Sequence, residues 1–282
     1  MPLKTVLTAT TSGGIGACDL VGPLPITSRG SRFIFSFVDC FTKWIELVPL
    51  PDIKATTVAR CFVDNVITRH GCYPYLICDN GSQFTSSTWR HVCEILQVKI
   101  MFTEIYRPNQ NPVVRCHGSL KSFLSHYVNS KGNDWDDHLQ LCALGLRTVT
   151  HAATKEIPFF ATYGRDCLSP WEEFLKEPSI HYDLDTNYSR ELVTRLQLTY
   201  KEICENQRLA FANSKAQYDK RTHPVTIAPG DVVYIRNTVT KKGHSSKFAE
   251  KFLGPYRVIE KVGSATSSER NLWTQNTIRA FG

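Results

Sequence analysis

Ala17-Cys18-Asp19-Leu20-Val21-Gly22-Pro23-Leu24-Pro25 sets an acid at the end of a short apolar run that Gly22-Pro23 then stops. Two aromatic and β-branched runs follow, Arg32-Phe33-Ile34-Phe35-Ser36-Phe37-Val38 and Trp44-Ile45-Glu46-Leu47-Val48-Pro49-Leu50, with a polar turn between them, so the spacing predicts three consecutive strands. From Lys54 to His70 the apolar positions Val58, Cys61, Phe62 and Val66 recur at helical intervals, and Gly71 closes the helix. A buried strand, Pro74-Tyr75-Leu76-Ile77-Cys78, next delivers Asp79 into the turn Asn80-Gly81-Ser82. A helix over Ser86 to Leu96 with Trp89, Val92, Cys93 and Leu96 on one face, then a strand over 98–102, complete a strand-first, then alternating order. That order predicts an α/β sheet rather than a bundle or a sandwich.

Farther along, Leu120, Phe123, Leu124, Tyr127 and Val128 make a helical stripe. A further helix starts at Asp134-Trp135-Asp136-Asp137, where acids favour a helix N-terminus, and runs to about Thr150. Leu192, Leu196, Thr199, Ile203, Ala210 and Phe211 predict a long linking helix to about residue 218, ended by His223-Pro224. Past it the character changes to short strands, Val232-Val233-Tyr234-Ile235 and Tyr256-Arg257-Val258-Ile259, separated by Pro229-Gly230-Asp231, Lys241-Lys242-Gly243 and Gly254-Pro255. The expected division is therefore an unassigned 1–12, an α/β core over 13–170, an acidic linker and long helix over 171–224, a small β module over 225–262, and an unstructured tail over 263–282.

A chain of 282 residues with 42% apolar content can bury an ordinary core. No apolar run approaches the ~20 residues of a membrane span, and Met1 to Leu7 is too short and too weakly apolar for a secretory signal, so an intracellular protein is expected. The ten cysteines are scattered through strands and helices in a chain large enough to need no staples, and no C-x-x-C pair suggests zinc. They read as reduced thiols. The formal charge of +7 is uneven: residues 171–186 are acidic and 187–262 carry most of the surplus. A basic tail on a near-neutral body suits a polyanion, with a merely solvated basic surface as the alternative.

Asp19 and Asp79 both fall where a strand meets a turn, which lets carboxylates from separate strands converge. An isolated Asp in such a place is ordinarily a turn cap. As an oxygen-rich pair without Cys or His as an obvious co-ligand, the two suit Mg²⁺ or Mn²⁺. A two-metal site for phosphoryl transfer usually needs a third acid.

Five phrases resemble the catalytic core of integrases from Gypsy-type retrotransposons and their retroviral relatives. They are Asp19 to Pro25, Val38-Asp39-Cys40-Phe41-Thr42-Lys43-Trp44, Cys78-Asp79-Asn80-Gly81-Ser82-Gln83-Phe84-Thr85-Ser86, Trp135-Asp136-Asp137-His138-Leu139 and Pro158-Phe159-Phe160-Ala161-Thr162-Tyr163-Gly164-Arg165-Asp166. Each is weak alone; the five in family order over roughly 17–170 are strong. The resemblance implies an RNase H-like mixed sheet flanked by helices, then a long linking helix and a small SH3-like β-barrel. It also implies DNA integration by trimming and joining of 3′ ends, with Asp19 and Asp79 as the first two metal ligands, a homodimer through the core, and a nuclear location. In the SH3-like module Lys241, Lys242, Lys247 and Lys251 are the expected phosphate contacts, with solvated loop lysines as the alternative.

The family's third-acid segment runs Tyr-His-Pro, several polar residues, Asn-Gly, two residues, then Glu-Arg. Here Tyr106-Arg107-Pro108 leads to Asn111-Pro112-Val113-Val114-Arg115-Cys116, and no Asp or Glu occurs between Glu104 and Asp134. If the preceding loop keeps its register, Arg115 fills the acid's place; if the following helix keeps its register, Val114 does. Glu104 could serve only by swinging in from the end of a strand. The absence of His and Cys from residues 1–16, the glycines at 13, 14 and 16 in what should be a central strand, and the loss of pattern after Val262 suggest a decayed or clipped copy. The expectation is an integrase by descent with impaired chemistry. A non-catalytic nucleic-acid-binding or interaction protein derived from an integrase is the alternative, and a two-acid nuclease of the same fold a third.

Overall fold

The computed structural model describes residues 9–103, 112–168, 188–221, 230–236, 252–261 and 277–280. They belong to a larger unit within Lys4–Ala216 and a smaller one within Gln217–Gly282. In the larger unit five strands, β1 (Ile15–Val21), β2 (Phe33–Asp39), β3 (Ile45–Leu50), β4 (Tyr75–Cys78) and β5 (Lys99–Phe102), form one mixed sheet of order β3-β2-β1-β4-β5. The first three make an antiparallel meander, while β4 and β5 run parallel to β1. Parallel pairing needs crossovers, and helices supply them.

Alternation along each strand sorts the core into two layers. Ala17, Ile34, Val38 and Ile77 face one side, where Val113, Leu120, Leu124, Leu139 and Ala143 cover them. Those five come from α5 (Pro112–Tyr127) and α6 (Trp135–Thr148). Cys18, Phe35, Phe37, Leu76 and Cys78 face the other side, against Val58, Phe62, Phe84, Trp89 and Cys93. The helices on that side are α1 (Ala55–Phe62), α2 (Thr68–His70), α3 (Ser82–Thr85) and α4 (Ser87–Ile95). Ser86 caps α4 through its hydroxyl, which accepts the Trp89 N–H at 3.2 Å.

Four details differ from the sequence reading. The rod predicted over Lys54 to His70 is interrupted by a π-helical stretch, Val63–Ile67, between α1 and α2. There Asn65 Nδ2 donates to the Cys61 carbonyl at 3.1 Å, and the chain still ends at Gly71 with φ +81°. Gly16 does not weaken the central strand: a Cβ there would come within 2.5 Å of the Phe37 ring, so the glycine is what lets that ring pack across β1. Asp19 lies inside β1 rather than at its end, because β1 runs on to Val21 along β2 after its pairing with β4 has stopped at Ala17↔Ile77.

The fourth concerns the basic end of the chain. The smaller unit holds β6 (Val232–Arg236), β7 (Phe252–Lys261) and β8 (Thr277–Ala280), in the order β6-β7-β8. Part of the expected unstructured tail is thus a strand, paired parallel to β7 through Arg257↔Thr277 and Val258↔Ile278. Four residues are too few to betray a strand by alternation. β7 also runs straight through Gly254-Pro255, which had read as a break.

Two more helices complete the larger unit's described part, α7 (Pro158–Tyr163) and the start of α8 (Tyr188–Arg221). The middle of α8 packs against the core rather than merely linking. Ile203 is fully buried, Tyr200 meets Phe41 edge-on at 4.9 Å between centroids, and Gln207 Nε2 donates to the Phe41 carbonyl at 2.9 Å. None of the ten cysteines is in a disulfide. Among the described residues no helix is long and apolar enough to cross a membrane.

Candidate active site

Continuing the parallel register from Ala17↔Ile77 sets Cys18 beside Cys78 and Asp19 beside Asp79. The sulfurs of Cys18 and Cys78 do lie 3.2 Å apart, in the layer beneath α1 to α4. Because side chains alternate along β1, Asp19 projects to the opposite layer, where His117 of α5 lies. Asp79, the residue just past β4, is near enough for its negative charge to act on the Asp19 carboxyl.

Their local anchoring is light. Asp19 Oδ1 accepts the N–H of Leu20 at 2.8 Å, and Asp79 Oδ1 accepts the N–H of Gly81 at 3.0 Å, in the turn that β4 enters. Burial pushes the Asp19 carboxyl up to about 6, opposed in part by the Leu20 N–H and helped, less strongly, by the negative charge of Asp79. A carboxyl that is hard to ionise alone and has a second acid beside it is a ready seat for a cation.

Sequence reasoning missed two residues of this site. Ser36, opposite Asp19 on β2, is fully buried, and its hydroxyl donates to the Asp19 backbone carbonyl at 3.1 Å. His117, in the second turn of α5, sets Nε2 2.7 Å from Ser36 Oγ and Nδ1 3.8 Å from Asp19 Oδ2. Burial, with the nearby Lys121 charge, pulls its imidazole down to about 4, so it is neutral at pH 7. That pair is consequently not an ion pair. The one sequence signal was Ser36 itself, the single polar residue in the run Phe33 to Val38.

The first turn of α5, Pro112-Val113-Val114-Arg115, brings no carboxylate. Val113 is buried in the core and Val114 half-buried. Arg115 is exposed, and its charge is felt at Lys43 and His151, two residues on the sheet's other neighbours rather than at Asp19. Among the described residues no three His, Cys, Asp or Glu side chains already stand in metal-holding geometry. Glu104, and the lysines at 241, 242, 247 and 251, lie outside the described residues.

Other acids of the matching phrases are structural. Asp39 accepts the N–H groups of Gly13, Phe41 and Thr42 at 2.8 Å each and so ties off the turn after β2. Asp136 accepts the Thr27 hydroxyl at 2.9 Å. Glu46, two residues beyond the phrase that ends at Trp44, is structural as well: it is held by Trp44 Nε1 at 2.9 Å, His70 Nε2 at 2.8 Å and Arg147 Nη2 at 2.8 Å.

A family model described as "Integrase core domain" matches residues 9–108. The chain is 28% identical over 248 residues to the retrovirus-related Pol polyprotein from transposon 412 of Drosophila melanogaster, covering 87% of this chain and 19% of that one. It is 31% identical over 250 residues to the transposon Tf2-3 polyprotein of Schizosaccharomyces pombe, covering 87% of this chain and 18% of the polyprotein. The chain thus spans about a fifth of the length of the curated relatives it matches. In three dimensions it resembles a chain of the simian T-cell lymphotropic virus intasome in complex with PP2A regulatory subunit B56 gamma, at TM-score 0.50 and 16% identity over 60% of this chain and 61% of that chain. A solved HTLV-2 integrase catalytic core domain in complex with magnesium gives TM-score 0.44 and 15% identity over 53% of this chain and 95% of that chain, too distant to speak for this chain's ligands. Residues 9–108 thus match an integrase core domain, most of the chain is homologous to retrotransposon polyproteins, and its fold resembles that of a chain of a retroviral intasome.

Proposed function

We propose that this chain is the catalytic-core portion of a retrotransposon integrase, of Gypsy type, whose ancestral reaction on DNA is metal-dependent phosphodiester transfer. The observation that supports the reading is the proximity of two acids just beyond the paired stretch of neighbouring parallel strands, with the charge of Asp79 acting on the Asp19 carboxyl and Cys18 and Cys78, the residues just before them, 3.2 Å apart. Oxygen donors alone, one of them raised by burial and by its neighbour, fit Mg²⁺ or Mn²⁺. Bound there, such ions would activate a hydroxyl or water and stabilise the leaving oxygen of a phosphodiester.

The chain's own residues limit that chemistry. With no acid in the first turn of α5, two carboxylates must balance the cationic charge that three usually share. The Arg115 charge acts on Lys43 and His151 and not on Asp19, which favours Val114 as the residue standing where the acid would be. Strand transfer with Mg²⁺ is therefore impaired. The reading carries with it action in the nucleus, pairing of cores into a homodimer, and an SH3-like module whose Lys241, Lys242, Lys247 and Lys251 contact phosphates.

Assays of 3′ processing and strand transfer in Mg²⁺ and Mn²⁺ test it, together with a variant carrying Glu inserted between Val114 and Arg115. The insertion is expected to raise strand transfer by 10²-fold or more. Full Mg²⁺-dependent activity in the unaltered chain, abolished by Asp79→Asn, would refute the impairment. The missing acid also favours a second reading, a DNA-binding protein without chemistry. Affinity for DNA should then fall steeply with salt, and neutralising Lys241 and Lys242 should flatten the slope by up to about 2.

A further inference from the structure

We propose that His117 is a metal ligand, its Nδ1 joining the carboxylates of Asp19 and Asp79, so that this site prefers a nitrogen-seeking divalent transition metal over Mg²⁺. The proposal rests on the cation-site reading above and concerns which side chain completes it. Ser36 fixes the imidazole. Its hydroxyl has one proton, and the Asp19 backbone carbonyl 3.1 Å away can only accept, so that proton is committed there. The contact of 2.7 Å to His117 Nε2 must then be a hydrogen bond donated by Nε2–H. This hydrogen-bond network therefore assigns the tautomer that leaves a lone pair on Nδ1.

That lone pair faces Asp19 Oδ2 at 3.8 Å, too far for a hydrogen bond. Two donors each about 2.1 Å from one ion stand roughly 3 to 4 Å apart. An imidazole whose second nitrogen donates to a fixed acceptor is the usual arrangement of a ligating histidine, and here the acceptor is itself tied to the backbone of the neighbouring ligand. His117 also follows Val114 by three residues, nearly one turn of α5, and so lies on the same side of the helix. Asp79 joins by side-chain rotation, since no three-ligand cage is preformed among the described residues. Imidazole ligation favours later divalent metals, with Co²⁺ above Mn²⁺ and both above Mg²⁺.

Co²⁺ is the probe, used with the full chain. Calorimetric titration should show Co²⁺ binding weakened 10- to 100-fold by His117→Ala and by His117→Gln, with Mg²⁺ affinity changed less than about threefold. In the proton NMR spectrum the Co²⁺-loaded protein should give an exchangeable, strongly shifted imidazole N–H resonance that both variants lack. Thermal melts identify a variant that has lost its fold, and the shifted resonance in the unaltered protein decides the matter even if both have. Equal Co²⁺ affinity with and without His117, or no shifted N–H, overturns the proposal. If Asp19→Asn still abolishes binding in that case, the two-aspartate site stands. Binding indifferent to Asp19→Asn and Asp79→Asn overturns the underlying reading as well.

Discussion

Two carboxylates on the same sheet, Glu46 on β3 and Asp19 on β1, are treated in opposite ways. Glu46 is 3% exposed, and burial alone would push its carboxyl up; the hydrogen bonds from His70 and Trp44 and the Arg147 guanidinium outweigh that and hold it below the usual range. Asp19 is half-buried with one backbone N–H and a second acid for company, and is pushed up to about 6. The fold has thus completed one buried charge with its own cations and left the other to be completed from outside. Arg147 makes the first case firmer still: its Nε bonds the Ile45 carbonyl at 2.8 Å and its guanidinium lies 4.4 Å over the Trp44 ring. A satisfied acid holds elements together, whereas an unsatisfied one costs stability and offers a site.

The contrast breaks most visibly at Arg147. Arg147→Ala leaves buried Glu46 with hydrogen bonds from Trp44 and His70 and only the longer, exposed Arg69 contact at 3.7 Å, and should cost about 3 kcal/mol in urea unfolding, because removing one partner of a buried pair is worse than removing both. Adding Glu46→Leu should recover most of that loss. Next in size is Asp19→Asn, which should stabilise the metal-free fold at pH 7.5 by about 1 to 3 kcal/mol, since ionising a carboxyl held near 6 instead of near 3.8 costs about 3 kcal/mol at most. Such a gain at the expense of function is the usual mark of a binding residue.

A smaller effect comes from pH. Asp19 has a folded-state pKa above its unfolded one, so its ionisation counts against the fold as pH rises from about 4 to about 6. The Asp19→Asn advantage should therefore shrink on acidification and vanish near pH 3.5. His117 and His151 run the other way. Each is pulled down to about 4, so each contributes stability that is complete above its unfolded value near 6.5 and is lost as pH falls toward 4. Melts of the wild-type and Asp19→Asn proteins across pH 7.5 to 3.5 would separate the two trends; an advantage for Asp19→Asn that stays constant with pH would remove the raised Asp19 carboxyl from the account.

The sheet and its two aspartates were legible because local pattern carried them. Alternating and continuous apolar runs marked β1 to β5, Gly and Asn marked the turns, and Cys78-Asp79-Asn80-Gly81 is a strand running into an Asx turn by its residue types alone. His117 was not legible, since its role depends on the rotation of α5 over the sheet and on Ser36, 81 residues earlier on β2, neither of which has a local signal. Gly16 was misread for a similar reason: its lack of a side chain is a flaw in an isolated strand and a necessity beneath the Phe37 ring. Between Glu46 and Asp19 the sequence offered no distinction at all, because the difference lies in Arg147 and His70 arriving from 101 and 24 residues away.

An anomalous-difference map from crystals of the full chain grown with Mn²⁺ tests the central claim most directly. The account predicts a peak within ligating distance of the carboxylates of both Asp19 and Asp79. Saturating Mn²⁺ with no peak between them, or carboxylates turned to opposite faces of the sheet, would contradict it.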